Sequence, residues 1–275
     1  MNGLSRKEIE GLHSPLARVV EVHEALASTQ ERARELARAG TPHGTLVVAG
    51  IQTGGRGRLG RHWGSPEGGL WMSMVLRPGF EASLASRITQ TAAVGVAGAL
   101  REVGVEARIK WPNDLLVGGK KICGILAESG IRNSPGPAKE VRLEYAVLGV
   151  GMNANLDPED LGVPDREITT IRSELGGDVD PLKLLGALLS NLGNELGRIA
   201  HFESVLETWR NLNCTLGERV RIRRNGETVE GRAVDLTSEG ALMLATGDAT
   251  VEVFEGEIEH LKQGKNASER GSRAC

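Results

Sequence analysis

The stretch that limits the fold most reads Gly54-Gly55-Arg56-Gly57-Arg58-Leu59-Gly60-Arg61-His62-Trp63, and it follows a buried-strand candidate, Thr45–Gln52. Its glycines match G-x-G-x-x-G, the phosphate-binding pattern of dinucleotide-binding folds. In those folds a helix begins directly after the glycines, since its N-terminus holds the pyrophosphate. Here the chain continues as Ser65-Pro66-Glu67-Gly68-Gly69, a composition that prevents a helix. The sequence therefore argues against a dinucleotide-binding fold and predicts a long glycine-rich loop.

The side chains of this loop suit an anionic ligand. Glycines let backbone N–H groups approach an anion closely, and Arg56, Arg58 and Arg61 supply planar donors for phosphate or carboxylate. Trp63 adds a flat face on which a base can stack. Two plainer interpretations stay open at this point: a solvated loop with surface salt bridges, or an arginine–glycine segment that binds RNA.

Length and composition describe an ordinary globular chain. Its 275 residues and 29.3 kDa allow one large or two small domains. A net charge of -3 and a pI of about 6.1 give no global electrostatic case for binding nucleic acid or an anionic membrane. No apolar run reaches the roughly 18 residues of a membrane-spanning helix, and the N-terminal residues lack the apolar core of a signal peptide. Because Cys123, Cys214 and Cys275 fit neither a zinc pattern nor a disulfide framework, we expect a cytoplasmic location.

Hydrophobic patterning and turn signals predict alternating strands and helices. Ser28 and Glu31 form a capping box, which predicts a helix that ends before Gly40. Gly118-Gly119 separates two apolar runs and predicts a two-residue hairpin. The predicted strands are 19–22, 45–52, 70–76, 108–111, 115–117, 121–127 and 143–150, the predicted helices are 83–103 and 181–209, and 132–139 is predicted as a loop.

The pattern of predicted secondary structure changes near Cys214. From Gly217 to Leu261 four or five short strand-like runs are separated by turn signals, a pattern typical of a small all-β barrel of about 50 residues. The polar tail from Gln263 to Cys275 is predicted to be disordered.

A second motif runs from Lys110 to Glu128 and contains Lys110-Trp111-Pro112-Asn113-Asp114. Strand alternation predicts that Lys121, Cys123 and Ile125 share one face, while Lys120, Ile122 and Gly124 lie on the other. A lysine that enters an apolar strand beside a glycine is a candidate anion ligand. A lysine at a hairpin tip in solvent is the alternative, and it suits Lys120 better than Lys121.

A third motif, Leu148-Gly149-Val150-Gly151-Met152-Asn153-Ala154-Asn155, runs from an apolar strand into small residues and two amides. Such a strand end can form a cavity floor and hydrogen-bond a ligand, although a glycine-rich strand end turned by asparagines reads the same way.

Together the three motifs resemble the biotin protein ligases, with Ser28-Thr29-Gln30 in the position of that family's Ser-Thr-Asn. The resemblance extends over 19–261 and implies an α+β fold. In that fold a mixed β-sheet flanked by helices, like that of class II synthetases, precedes a small SH3-like β-barrel. The expected divisions are an N-terminal extension (1–14), a catalytic domain (15–213), the barrel (214–262) and a tail (263–275).

The resemblance implies an enzyme that activates biotin with Mg·ATP to biotinyl-5′-AMP. It would then transfer biotin to a lysine of a biotin carboxyl carrier domain. Regulatory members carry a DNA-binding domain, for which we see no room before residue 15, so the chain resembles the monofunctional class, with no DNA or membrane partner. A homodimer stays open.

Roles carry over to individual positions by the same resemblance. Lys121 and Arg56 are the expected catalytic residues. The expected biotin contacts are Ser28, Thr29, Gln30, Gln52, Arg56, Gly57, Arg58, Lys121 and Gly124. The expected ATP or adenylate contacts are Arg58, Arg61, Trp63, Asn113, Lys121 and Asn153. No protein ligand set for a tightly bound metal is expected.

The sequence departs from the family pattern in three places. Gln30 replaces the usual Asn, and Leu59 stands where some members carry another arginine. Some members have an arginine near the end of the barrel that reaches the adenylate; here the candidate in that stretch is Lys262.

Two rival functions differ in testable ways. A lipoate or octanoate ligase shares the fold but lacks Gly-Arg-Gly-Arg before the Lys-Trp-Pro-Asn-Asp stretch. A nucleic-acid-binding protein that uses the arginine-rich loop is disfavoured by the net charge and by the low content of Tyr and Phe.

Overall fold

The computed structural model describes residues 4–133, 141–162, 168–224 and 226–261. They form a sheet of seven strands, with helices on both faces, and a sheet of five strands. The first part contains α1 (Arg6–Glu10), β1 (Val19–Leu26), α2 (Thr29–Arg38), β2 (Thr45–Gln52), β3 (Leu70–Leu76), α3 (Ser86–Glu102), β4 (Arg108–Lys110), β5 (Asp114–Val117), β6 (Lys120–Asn133) and β7 (Val141–Met152). There follow α4 (Ile171–Leu175), α5 (Pro181–Gly197), α6 (Phe202–Leu212), β8 (Arg219–Arg224), β9 (Glu227–Leu236), β10 (Leu242–Thr246), β11 (Ala249–Val253) and β12 (Glu257–His260).

The larger sheet has the order β1-β2-β3-β7-β6-β5-β4. Strands β1 and β2 are parallel, and α2 connects them as the crossover that parallel neighbours require. All other neighbouring strands in this sheet are antiparallel. The predicted fold class, a mixed sheet flanked by helices, is confirmed.

Strand alternation gives this sheet two different faces. On one face Val47, Val75 and Val147 pack with Ala33 and Ala37 of α2. The residues between them on the strands point to the opposite face, where α3, α5 and α6 cover the main hydrophobic core. Because α2 has only 10 residues, it covers part of its face and leaves the sheet beyond its N-terminus uncovered by a helix.

The five-stranded sheet is antiparallel, with the order β11-β10-β9-β8-β12. It touches the first part of the chain through specific polar contacts. The Arg87 Nε donates to the Ser238 carbonyl at 2.8 Å, and the backbone N–H of Trp111 donates to Thr215 Oγ1 at 3.0 Å. Arg210 of α6 pairs with Asp235 of β9 at 2.8 Å. Thr215, the turn at Ser238 and the β9 residue Asp235 thus join the C-terminal part to α3, to Trp111 after β4 and to α6.

Most predicted elements are present, with differences at their ends. The hairpin at Gly118-Gly119 is confirmed, since both glycines have positive φ between β5 and β6. The predicted helix 83–103 begins as a separate 3-10 turn, Ala82–Leu84. The predicted helix 181–209 is two helices, because α5 ends at Gly197, a residue of low helix propensity, and a 3-10 turn precedes α6.

The structure describes most of the N-terminal segment but not the C-terminal tail. Helix α1 places Ile9 fully buried in the main core, so this segment packs on the larger sheet and its helices. Lys262, the predicted tail and residues 134–139 of the predicted loop lie outside the described residues, whereas residues 132 and 133, also predicted as loop, belong to β6. Among the residues that are described, no helix is both long and apolar enough to cross a bilayer.

Candidate active site

A cavity of about 510 Å³ lies on the α2 face of the larger sheet. It is bounded by the N-terminus of α2, the glycine–arginine loop that follows β2, the turn between β4 and β5, and the segment Gly256–Ile258. Twelve residues named from the sequence line it: Ser28, Thr29, Gln30, Gln52, Arg56, Gly57, Arg58, Arg61, Trp63, Asn113, Lys121 and Gly124. Four sequence motifs that are distant along the chain therefore meet at one site.

A chain of hydrogen bonds crosses the end of the cavity nearest α2. Ser73 Oγ donates to Gln30 Oε1 at 3.0 Å, and the hydroxyls of Ser73 and Thr29 are 2.9 Å apart. Gln52 Oε1 accepts from the backbone N–H of Thr29 at 2.8 Å and from its hydroxyl at 3.0 Å. Gln52 Nε2 donates to Ser65 Oγ at 2.8 Å. These bonds hold the side chains of Gln30 and Gln52 with their amide oxygens toward the middle of the series of hydrogen bonds.

Lys121 enters the cavity at the start of β6. Its Nζ lies 2.6 Å from Asp114 Oδ1 and 4.9 Å from the centre of the Trp63 ring. Lys120, one residue earlier, is exposed at the hairpin. The carboxylate and the aromatic face hold the Lys121 ammonium within the cavity.

The predicted face of β6 was wrong after Lys121. The pairing of β5 with β6 shifts between Leu115 and Leu116, so Ile122 has no direct partner there. Such a bulge resets the alternation of side chains. As a result Gly124, rather than Cys123, lies next to the Lys121 side chain, and Cys123 is fully buried in the core. Burial raises the pKa of the Cys123 thiol.

Trp63 lies directly on the floor of the cavity. Gly124 and Gly151 are cross-strand partners on β6 and β7. A Cβ at Gly124 would lie 3.0 Å from the Trp63 ring, and one at Gly151 would lie 2.5 Å from Trp63 Nε1. The two glycines therefore leave the space that the indole occupies.

The three arginines of the loop contact three different parts of the protein. Arg56 pairs with Glu31 of α2 at 2.5 Å. Arg58 Nη1 donates to Asn113 Oδ1 at 3.2 Å and to the Gly256 carbonyl at 3.3 Å. Arg61 pairs with Glu257 at the start of β12. The five-stranded sheet thus contributes directly to the wall of the cavity.

The cavity is electropositive. Among its described lining residues, Arg56, Arg58, Arg61, Lys110 and Lys121 are cationic, whereas Asp114 and Glu257 are the carboxylates. Burial lowers the pKa of the Arg58 guanidinium, and burial together with Lys121 lowers the pKa of Lys110. Crowded, partly desolvated cations are stabilised by a bound anion.

Sequence reasoning missed four contributors, of which Ser73 lies in a predicted strand but had no assigned role. Lys110 and Asp114 belong to a quoted motif but had no assigned role, and the hairpin signal could have found them, since β5 pairs with both β4 and the strand that carries Lys121. Gly256–Ile258 carries no recognisable motif, so only the fold brings it to the site.

Asn153 is the one named residue that does not line the cavity. It is 2% exposed, and its Nδ2 donates to the carbonyls of Lys121 at 3.3 Å and Thr169 at 3.0 Å. It therefore supports the backbone behind Lys121. Its Oδ1 is buried and has no partner in the structure.

The described residues contain no group of three or more His, Cys, Asp and Glu side chains that could hold a metal ion. The two cavity carboxylates, Asp114 and Glu257, are each paired with a cation.

Comparison with known proteins agrees with this arrangement. The profile of the Biotin/lipoate A/B protein ligase family matches residues 22–153, and that of the Biotin protein ligase C terminal domain matches residues 215–261. The bifunctional ligase/repressor BirA of Bacillus subtilis is 36% identical over 242 residues, which cover 86% of this chain and 72% of the relative. The chain belongs to the biotin protein ligase family.

Two further relatives are matched over nearly their whole length. A biotin--[acetyl-CoA-carboxylase] ligase of Paracoccus denitrificans is 33% identical, over 79% of this chain and 90% of the relative. The structure of an Aquifex aeolicus biotin protein ligase in complex with biotin and ATP superposes with a TM-score of 0.73 at 28% identity, covering 90% of this chain and 100% of that one. Its membership of this family identifies the chain as a biotin ligase.

Proposed function

We propose that the chain forms biotinyl-5′-AMP from biotin and Mg·ATP and then transfers biotin to a lysine of a biotin carboxyl carrier domain. The observation that carries this proposal is one cavity with a hydrogen-bonding end, a cationic centre and an aromatic floor. The family of the chain supports it, as does the Aquifex aeolicus relative whose structure holds biotin and ATP.

The hydrogen-bonding end suits a cyclic urea. Gln30, Gln52, Thr29 and Ser73 all line this end of the cavity, and their oxygens have acceptor capacity beyond the hydrogen bonds they make with one another. A ligand with N–H donors can bond to the remaining lone pairs of these oxygens, and the ureido ring of biotin has two such donors. The dithiolane of lipoate has none, so it cannot form these additional hydrogen bonds.

The cationic centre suits the first reaction. A carboxylate attacks an α-phosphate, so two anions must approach each other. Lys121, Arg56 and Arg58 can neutralise that repulsion and the charge on the departing pyrophosphate. Mg²⁺ arrives as part of the Mg·ATP substrate in this proposal.

The aromatic floor suits the nucleotide. The indole of Trp63 lines the cavity beside Lys121 and can stack on adenine. The amide of Asn113 also lines the cavity and can hydrogen-bond the nucleotide.

The second step needs a reactive mixed anhydride protected from water. The glycine–arginine loop covers the cavity and is fastened at Glu31, Asn113 and Glu257. We propose that it closes more firmly on the adenylate and excludes water until the carrier lysine arrives.

The test is pyrophosphate release by the purified chain with biotin and Mg·ATP. We expect release without any carrier, no release when lipoate replaces biotin, and biotin on a carrier domain by streptavidin blot. Release with lipoate but not with biotin would overturn the assignment.

Expectations about location and other partners stay predictions. We propose a cytoplasmic enzyme that does not bind DNA, and a gel shift with and without biotin would test the latter. The oligomeric state follows from sedimentation with and without biotin and ATP.

A further inference from the structure

Glu128 lies on β6 outside the lining of the biotin-ligase cavity but touches one of its amides. It faces Val147 across the strands, on the same side of the sheet as Gln30. Its Oε2 accepts from Gln30 Nε2 at 3.0 Å, and its Oε1 is 3.7 Å from Arg34 Nη1 on α2. The side chain is 40% exposed, whereas Gln30 is 4% exposed.

The partners of Gln30 decide which way its amide points. The oxygen and nitrogen of an amide have nearly the same shape, so hydrogen-bond partners set the orientation. On one side Gln30 Nε2 meets the Glu128 carboxylate and the Val147 carbonyl, the latter at 3.2 Å. Ionised carboxylates and carbonyls only accept hydrogen bonds. A reversed amide would place its oxygen against two acceptors.

The orientation of Gln30 then sets the proton on the next hydroxyl. With Oε1 toward the cavity, Ser73 donates its one hydroxyl proton to Gln30, as Thr29 donates its own to Gln52, so both hydroxyl oxygens keep only lone pairs for a ligand. At the other end of the chain, the Trp63 carbonyl accepts from Ser65 at 3.1 Å, and this fixes Gln52 with its oxygen toward Thr29. Both ends of the chain therefore present acceptors to the ligand ring.

We propose that Glu128 is a positioning residue that fixes the orientation of the Gln30 amide and thereby selects ligand rings that carry N–H donors. This inference rests on the proposed function, because it explains how a biotin ligase would reject a ring without donors. Glu128 does not touch the ligand. It acts through Gln30, which reaches the cavity over Gly149, where a Cβ would lie 2.5 Å from Gln30 Oε1.

Three properties of Glu128 can be separated by substitution. Glu128→Gln keeps the shape and an acceptor oxygen but removes the charge. Glu128→Met keeps the length and removes both acceptor and charge. If the acceptor fixes Gln30, we expect Glu128→Gln to stay within about threefold of wild type and Glu128→Met to raise the KM for biotin about tenfold, the cost of one unsatisfied buried polar group.

The measurement compares the effect of Glu128→Met on the KM for biotin with its effect on the other kinetic constants. The KM for ATP and the single-turnover rate at saturating biotin should change less than about twofold in Glu128→Met, since no group at the reacting atoms is altered. Direct calorimetric binding of biotin should weaken by the same factor as the KM rises. The preference for biotin over desthiobiotin, which keeps the cyclic urea, should not change, and the preference over lipoate should fall. Glu144→Met, at an exposed carboxylate on β7, is the matched control.

A double-variant cycle distinguishes positioning from a structural role. If Glu128 acts through Gln30, Glu128→Met should add nothing to the loss of biotin affinity in a Gln30→Leu background. Additive losses would overturn the proposal, and so would wild-type affinity in Glu128→Met or equal losses in Glu128→Gln and Glu128→Met. Should Glu128→Met fail to fold, a wild-type preference for biotin over lipoate in Gln30→Leu would overturn it instead.

Failure of this proposal differs from failure of the proposed function. If the wild-type chain releases pyrophosphate with biotin but the variants behave alike, only the role of Glu128 is wrong. If the wild-type chain does not use biotin at all, the proposed function is wrong and this inference is wrong with it.

Discussion

Lys120 and Lys121 are neighbours in sequence with opposite surroundings. Lys121 sits in the cavity against Asp114 and Trp63, and Lys120 is exposed at the hairpin. In the proposed adenylation, charge develops on the attacked phosphate, and a donor held within a partly desolvated site would stabilise it strongly. Loss of one such donor typically costs about 3–4 kcal/mol.

We therefore expect Lys121→Met to slow single-turnover formation of biotinyl-AMP by roughly 10²–10³-fold. Lys120→Met should stay within about fivefold of wild type, because exposed substitutions usually change stability by less than about 1 kcal/mol. Circular dichroism would show that both variants fold. Equal losses, or a larger loss for Lys120→Met, would mean that Lys121 is not the lysine that serves the reaction.

Gly151 gives a second prediction at the scale of one residue. Gly151→Ala would place a Cβ 2.5 Å from Trp63 Nε1, so the indole must move off the floor. We expect the KM for ATP to rise about tenfold or more, the scale of one lost aromatic stacking partner, with a smaller change in the KM for biotin.

The control for that variant is Gly186→Ala in α5. The nearest atom there, Leu12 Cδ2, is 3.4 Å from the new Cβ, an ordinary contact, and alanine favours a helix by about 1 kcal/mol. This variant should be as active as wild type and slightly more stable to urea. An unchanged KM for ATP in Gly151→Ala would show that Trp63 does not serve the nucleotide.

At the scale of elements, turn chemistry made the strand bounds predictable. Strands 45–52 and 70–76 end where the sequence turns to glycine, proline and arginine, and the structure has the same bounds. The Gly118-Gly119 hairpin was predictable because two residues of positive φ match the twist of the strands. The bulge at Ile122 was not, since it depends on pairing with β5 and on contacts from distant residues.

Those distant contacts explain why the bulge forms. The Ile122 carbonyl accepts from the backbone N–H of Asn153 at 2.9 Å, and the Lys121 carbonyl accepts from that of Thr169 at 3.0 Å. A one-strand pattern cannot reveal partners that lie about thirty or more residues away, so alternation misplaced Cys123. For the same reason no local signal revealed that Gly256–Ile258 would complete the cavity wall.

The glycine–arginine loop is held to the rest of the protein partly by ion pairs that are exposed to solvent. Arg56 and Arg61 are 53% and 45% exposed in their ion pairs, so these contacts are individually weak. We expect residues 53–65 to exchange amide hydrogen faster without ligand and to be protected once biotinyl-AMP forms. Equal exchange in both states would contradict a closing loop.

Arg58 tests whether the same loop retains the adenylate. It is the most buried of the three arginines, and it joins the loop to Asn113 and Gly256. Arg58→Gly removes donors from the phosphate and both fastenings, so biotinyl-AMP should escape and label bystander lysines. Tightly held adenylate in this variant would count against that role.

At the scale of the whole molecule, a histidine of the five-stranded sheet is affected by a lysine of the larger sheet. Its titration should make the free energy of unfolding depend on pH. His260 of β12 is half-buried, and burial together with the positive charge of Lys110 lowers its pKa from 6.5 to about 4. In the unfolded chain the imidazole takes up a proton near pH 6.5, whereas in the folded chain it does so only near pH 4. The unfolded state therefore binds more protons between these values, and stability is full above pH 6.5 and is lost as the pH falls.

The expected loss between pH 7.5 and pH 5 is about 1–2 kcal/mol from this group, after allowance for solvent screening. Urea unfolding at the two pH values measures it. The pKa of His43 is lowered by burial in the same direction, so wild type should lose more stability than His260 alone explains. His260→Gln should reduce the difference between the two pH values by about 1–2 kcal/mol, while His201→Gln, at an exposed site, should leave it unchanged. A difference that His260→Gln does not alter would mean that burial at this position does not lower the pKa of His260.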